Sequence, residues 1–462
     1  MGILSKSSGI LRRSRFIVLF IFLGTYGTFA NSFEPARQIY YSTISSWEDF
    51  LVFADELEVV LEEKSLFPKH FVWSLWLQTA LASESEPFEA LVQKHLLELG
   101  LSKEEIQVLY RLDPRELTEA ELAAFIFAQR GGVLPVKINA NDIWLLRQHY
   151  DEREIVNIML LTSYAATFNM LFGTGFVNES ELNPKKTVVG IEPQLFSLSQ
   201  IKQENSSRFE RRQFFESPIL AAGLTKPFLG MDWVVFNEHK FSVRESWEFF
   251  TIGQVASDCK HCQAHGALGM HYLGNDRKRI QQVYLFNEDS VFTDKELAGF
   301  EFMKHALQLP SKVTPKHIQA LREHYSETEI HHLLGVAVVT AWLSNYMQIT
   351  AVVTDEESVE FAREVIGPLG WHIGRHVGWP EEQRPMHPKT LFRLTWNGTI
   401  IDKNQMFYSH AFTPVLISYW GGKIIPIVFL ILFEIITGII FLKKTSKVLP
   451  EKLNKATKQG TI

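Results

Sequence analysis

The chain has two cysteines, three residues apart in the run Ser257-Asp258-Cys259-Lys260-His261-Cys262-Gln263-Ala264-His265. The run reads as a helix start: Ser257 or Asp258 can cap it, both thiols fall in the first turn, and His265 lies one turn on. Unpaired N–H groups and the positive end of the helix dipole favour a thiolate there, so at least one sulfur is expected to be reactive. A thiolate can cleave a peroxide O–O bond if a base activates it and the leaving alkoxide receives a proton. An imidazole can serve both needs, with a carboxylate behind it to fix its tautomer. The sulfenic acid then condenses with a thiol in reach, and i, i+3 spacing puts the two Cα atoms within the ~4.4–6.8 Å a disulfide tolerates. The pair could equally exchange disulfides with a partner protein. As a staple it is poorly placed, because a four-residue loop contributes only ~2 kcal/mol against ~4.7 for a loop of about a hundred residues.

Other chemistries fit less well. A c-type haem needs histidine directly after the second cysteine, where Gln263 stands. Zinc could be held by Cys259, Cys262, His265 and one of His261 or His271, although a second ligand pair at zinc-finger spacing is missing. His331-His332 lies in a helical stretch without an HExxH pattern and reads as a structural pair. No P-loop, GxSxG or GxGxxG occurs in a fitting context, and the net charge of −6 gives no reason to expect nucleic acid.

The elements that must position these residues are helical. Stretches such as 154–172 and 329–347 carry apolar residues at helical spacing behind acidic first turns, and strand-like alternation is scarce. The body also repeats itself. Thr118-Glu119-Ala120-Glu121-Leu122 matches Thr293-Asp294-Lys295-Glu296-Leu297 at an offset of 175 (293 − 118), and Leu146-Arg147-Gln148-His149-Tyr150 matches Leu321-Arg322-Glu323-His324-Tyr325. Upstream the offset is 174, carrying Trp73, Gly100 and Tyr110 onto Trp247, Gly274 and Tyr284. So long a period is a domain duplication rather than a solenoid, and the predicted fold is all-α with two similar helical units. The first unit is blank at the chemistry: Ser85, Phe88, Leu91 and Ser74 stand where the second has Cys259, Cys262, His265 and Glu248. The cysteines are therefore not required to build the helical frame.

These residues resemble the AhpD-like, carboxymuconolactone decarboxylase-related superfamily. The likeness rests on the Cys-x-x-Cys pair with its histidine, on Phe292-Thr293-Asp294-Lys295-Glu296-Leu297, and on the run from Ala320 through Tyr325-Ser326-Glu327-Thr328-Glu329 to Ile330. Leu369-Gly370-Trp371-His372-Ile373-Gly374-Arg375-His376 with Glu382-Gln383-Arg384 is similar to tails on some members. The resemblance covers about 218–385 well and 40–175 more faintly. It implies that Cys262 attacks a hydroperoxide, Cys259 resolves the sulfenate, His265 relays protons and Glu248 is the distal acid, with no cofactor. The family commonly places its histidine where this chain has Gly266 and its glutamate where it has Trp247; Glu245 is the substitute for Glu248. Members associate through helices, so a homo-oligomer or an internal pseudo-dimer is implied.

The ends set the compartment. Lys6, Arg12, Arg13 and Arg15 precede an apolar run to Ala30, making 1–30 a signal peptide or an N-terminal anchor. Residues 424–442 form an apolar stretch long enough to cross a bilayer, with Glu434 near mid-depth, and the lysine-rich 443–462 reads as a cytoplasmic tail. The intervening units, 31–175 without and 218–385 with the Cys-x-x-Cys, joined by a 176–217 linker and followed by a 386–423 juxtamembrane segment, are then lumenal, extracellular or periplasmic. Sequons at Asn178, Asn205 and Asn397 suit a glycoprotein of that side. With 46% hydrophobic residues and only two cysteines, the body must be held by its core rather than by disulfides. The expected activity is that of a membrane-anchored peroxidase or thiol–disulfide oxidoreductase with an unidentified electron donor. The alternatives are a non-catalytic membrane protein that uses the frame for assembly, or a metal-binding ectodomain.

Overall fold

The computed structural model describes residues 34–177, 193–195, 231, 235, 240–286, 291–352, 354–376, 393–396 and 399–402. Their fold is all-α, as the periodicity predicts, with one short antiparallel hairpin of β1 (Arg393–Trp396) and β2 (Thr399–Asp402). The 1–30 segment, most of the 176–217 linker, the three sequons and the 424–442 run with Glu434 lie outside the described residues.

The first half runs α1 (Glu34–Thr43), α2 (Glu48–Lys64), α3 (Lys69–Ala82), α4 (Glu86–Glu98), α5 (Lys103–Arg111), α6 (Glu119–Gly131), α7 (Ala140–His149) and α8 (Glu152–Gly173). The second runs α9 (Val243–Ala256), α10 (Lys260–Tyr272), α11 (Arg277–Tyr284), α12 (Asp294–Ala306), α13 (Pro315–His324), α14 (Glu327–Thr350) and α15 (Glu356–Val365), then 3-10 turns at Gly367–Leu369 and Gly374–His376. Helices α3 and α4 return with the same bounds as α9 and α10, 174 residues on (243 − 69, 260 − 86); α6 and α7 return as α12 and α13 at 175 (294 − 119, 315 − 140).

Local sequence explains where the helices begin. Thr118, Asp151, Ser242, Thr293 and Ser326 each cap a helix, and Glu121, Glu154, Glu245, Glu296 and Glu329 at the third position return the bond to the cap backbone. Each such cap stabilises its helix by about 1 kcal/mol.

Helices α8 and α14 pack against each other and carry the core. Both meet the length and hydropathy of a membrane span, and both are buried within the protein. Around them the halves exchange hydrogen bonds. The Asn345 side-chain amide donates to the Gly131 carbonyl (2.6 Å), and the Val136 N–H donates to Gln348 Oε1 (3.2 Å). The Leu309 N–H donates to the Leu134 carbonyl (3.1 Å), each leucine preceding a cis proline.

Candidate active site

The two sulfurs sit at the entrance of α10, which packs against α9, α14 and α15. The local turn differs in detail from the sequence expectation. Ser257 closes α9 instead of opening α10, its hydroxyl donating to the Gln254 carbonyl (3.2 Å), and Asp258 takes a left-handed conformation (φ 57°) with its carboxylate on Lys260. Cys259 itself is the cap: its Sγ accepts the Cys262 N–H at 3.3 Å. Cys262 is thus at the third helical position, inside the first turn as expected. The backbone at the offset positions follows the same course, with Glu84 left-handed (φ 51°) and Ser85 at the start of α4, although the Ser85 hydroxyl makes no capping bond. There Phe88 fills the place of Cys262, fully buried against Phe168 and Phe172.

Cys259 and Cys262 are joined as a disulfide with their Cα atoms 5.3 Å apart. They are 0% and 4% exposed, and Met347, Val352 and Leu343 pack on them. Sulfurs bonded to each other do not offer the thiolates that a Cys–His zinc site would need. His271, the further ligand considered for it, is stacked on Phe361 at 4.8 Å.

The same helix carries a cluster of imidazoles. His261 and His265 meet edge to face at 4.3 Å, and His376 lies 5.6 Å from His261. Each ring is held by the segment that follows α14. His376 Nδ1 donates to the Val352 carbonyl (2.7 Å), His261 Nδ1 pairs with Thr354 Oγ1 (3.0 Å), and His265 Nδ1 pairs with Ser358 Oγ (2.8 Å). The Asp355 carboxylate, which belongs to the cap of α15, lies 3.3 Å from His265 Nε2. A carboxylate only accepts, so this contact favours a proton on Nε2.

The expected distal acid is elsewhere. Glu248 on α9 is buried in an ion pair with Arg279 of α11 (2.6 Å), with Arg244 one turn away at 3.4 Å; its bonds do not reach the sulfurs or His265. Arg279 also bonds Glu296 (2.6 Å) and lies over the Phe292 ring. Burial works against the Arg279 charge, and its bonds to the two glutamates outweigh that and raise its pKa. Glu245, the substitute, closes the capping box of α9 with Ser242. The structure therefore joins Cys259 to Cys262, places His265 one turn on in the same helix with Ser358 and Asp355, and pairs Glu248 with Arg279.

Thr354, Asp355 and Ser358 carry no motif, and His376 stands in the sequence only as the end of the 369–376 run, with no role attached to it. Thr354 and Ser358 each stand 93 residues from the histidine they hold, and the one local signal is the Asp355 helix start. Gly266, where the family's histidine would fall, has no room for a side chain: a Cβ there would run into Gln254 and Thr251 of α9. Of the paired histidines on α14, His331 takes the Ser46 N–H (3.3 Å), and His332 stacks on Trp47 at 3.8 Å. No protein-family model matches the chain, and no curated protein matches its sequence.

Proposed function

We propose that this protein is a membrane-anchored thiol–disulfide oxidoreductase that reduces hydroperoxides through Cys259 and Cys262. The observation that carries the reading is the disulfide itself, closed within one helical turn at the N-terminus of the helix that also carries His261 and His265. In the reduced enzyme the Cys262 thiolate attacks the distal peroxide oxygen. The O–O bond breaks, Cys262 becomes a sulfenic acid, and the departing alkoxide takes a proton from the histidine pair. The Cys259 thiol then displaces water from the sulfenic acid, and the disulfide forms again. A dithiol donor restores the pair with two electrons. His265 is the relay in this scheme. Asp355 stands where the resemblance would put an acid behind it, whereas Glu248 would have to leave Arg279 to serve.

In the same reading the helices that recur at 174 and 175 residues are two tandem AhpD-like units, 31–175 and 218–385. The first is degenerate and stands in for a second subunit, so that the chain is an internal pseudo-dimer. The shared bounds of α3 with α9 and α6 with α12, and the packing of α8 on α14, support this. The apolar 424–442 stretch anchors the chain, and the body lies on the lumenal, extracellular or periplasmic side. A purely architectural ectodomain is the second reading, favoured by the burial of both sulfurs.

The test is a single turnover. The full-length chain is reduced, given one equivalent of an organic hydroperoxide, and followed for free thiols and remaining peroxide beside Cys262→Ser. Loss of both thiols with one peroxide consumed, absent in the variant, is the expected result. Thiols that disappear no faster than those of a small free thiol would leave the architectural reading.

A further inference from the structure

A second polar cluster lies on α12 and α13, apart from the sulfurs. Glu301 and His305 stand four residues apart on α12, with the Glu301 carboxylate 3.8 Å from His305 Nε2. His317, in the first turn of α13, brings its ring to 4.3 Å from that of His305, edge to face. One donor atom from each of the three lies within 4.8 Å of the other two. Two ligands on a tetrahedral ion with bonds of ~2.0–2.1 Å stand roughly 3.4 Å apart, so a small inward movement closes the set.

The first half shows what this position ordinarily does. At an offset of 175 His305 corresponds to Arg130 (305 − 175) and His317 to Asp142 (317 − 175). Arg130 and Asp142 form a buried ion pair that ties α6 to α7. The surroundings match bond for bond. Lys137 N–H donates to the Arg130 carbonyl and Lys312 N–H to the His305 carbonyl. Asn139 N–H donates to the Asp142 carboxylate (2.8 Å) and Thr314 N–H to His317 Nδ1 (3.0 Å). The second half keeps this hairpin but replaces the opposite charges with two imidazoles that make no hydrogen bond to each other. His305 Nδ1 is buried without a hydrogen-bond partner.

We propose that Glu301, His305 and His317 bind a divalent transition-metal ion, Zn²⁺ best, which ties α12 to α13 as the Arg130–Asp142 pair ties α6 to α7. Two imidazoles and one carboxylate suit a borderline cation; Ca²⁺ and Mg²⁺ take oxygen ligands. Burial lowers the pKa of both histidines, and for His305 the neighbouring His317 lowers it further. Glu301 opposes this for both, while Lys304 and Lys312 reinforce it at His305 and Lys316 at His317. His317 must change tautomer to ligate. A metal on Nε2 moves the ring proton to Nδ1, where Thr314 Oγ1 at 3.2 Å can accept it. This is the outer hydrogen bond that metal-bound histidines usually make. The Thr314 N–H, at an exposed helix start, then turns to water.

The test uses the full-length chain in detergent, with its disulfide oxidised, stripped by a chelator and titrated with Co²⁺ and then Zn²⁺. One equivalent of Co²⁺ should bind with visible d–d bands and without a sulfur-to-cobalt charge-transfer band, and Zn²⁺ should displace it and raise the Tm. The double variant His305→Arg/His317→Asp, which installs the pair of the first half, should fold without metal and lose binding by about 100-fold or more, beyond the loss that outer-ligand changes alone cause. Glu301→Gln, at a half-exposed site, should weaken binding with the fold intact, and it stands in if the double variant fails to fold. The proposal falls if the native chain binds no more metal than these variants. It also falls if binding survives in them and disappears with Cys259→Ser/Cys262→Ser.

Discussion

At the scale of residues, the site is decided by which polar groups the packing lets meet. Gly266 lies so close to the Gln254 and Thr251 side chains of α9 that a histidine there would have to displace them, and the imidazoles that cluster are His261, His265 and His376. Glu248 is tied into the buried pair with Arg279, and removing one partner of such a pair costs about 3–5 kcal/mol. Arg279→Met should therefore lower the unfolding free energy by roughly 3 kcal/mol. The double change Glu248→Gln/Arg279→Met should recover most of that in denaturant titrations. Glu296 gives a pH signature. Burial alone would raise its pKa, but the Thr293 N–H and the Arg279 guanidinium outweigh it, so the folded value lies below the ordinary one. Its contribution is thus complete above the unfolded value of ~4.3 and is lost as pH falls through the lower folded value. Stability measured from pH 7 downward should fall less steeply below about pH 4.3 in Glu296→Gln. The cysteine pair and His265 could be picked out in the sequence because they stand three residues apart at the start of one helix. Asp355 could not, because contact across the fold alone brings it to His265, and His376 was visible only as the end of a family-like run without its contact to Val352.

At the scale of elements, the caps were the most legible feature. Thr118 with Glu121 and Thr293 with Glu296 state both the helix start and the repeat in the same few letters. The turn before the cysteines was harder to read. Ser257 and Asp258 are both good caps, yet the left-handed Asp258 passes the role to Cys259. The slot at the third position of α4 and α10 shows what each half does with the same geometry: a phenyl ring seals one, and a sulfur occupies the other. Phe88→Ala should cost about 3–5 kcal/mol, since its neighbours Trp76, Phe168 and Phe172 cannot all move in to fill the void. Thermal unfolding of that variant beside Cys262→Ala, whose smaller side chain leaves a smaller void, would separate the two roles.

At the scale of the molecule, the segment after α14 crosses the disulfide and ties the halves together. Trp371 donates to the Lys260 carbonyl (3.2 Å), and Arg375 donates to the Ile138 carbonyl (2.9 Å) and to that of Val136 (3.4 Å). A hydrogen bond to a charged group contributes about 1.5–3 kcal/mol, so Arg375→Ala should speed local opening about tenfold or more. The measurement is the rate at which a small dithiol reduces the native disulfide; an unchanged rate would mean that the segment does not gate the sulfurs.

The pairing of α8 with α14 also bears on how the chain is made. During synthesis Arg153–Gly173 leaves the ribosome well before Glu327–Thr350 exists to cover it. On the exported route proposed above, an insertion machinery that sorts segments by hydropathy would meet in that interval a helix long enough to span a bilayer. What argues for release is written into the helix itself: Asn157, Thr162, Ser163, Thr167 and Asn169, all buried in the finished fold, lower its affinity for lipid. Replacing these five by leucine should turn a core helix into a stop-transfer sequence, detectable as a change in which side of the membrane a reporter placed after residue 177 ends up.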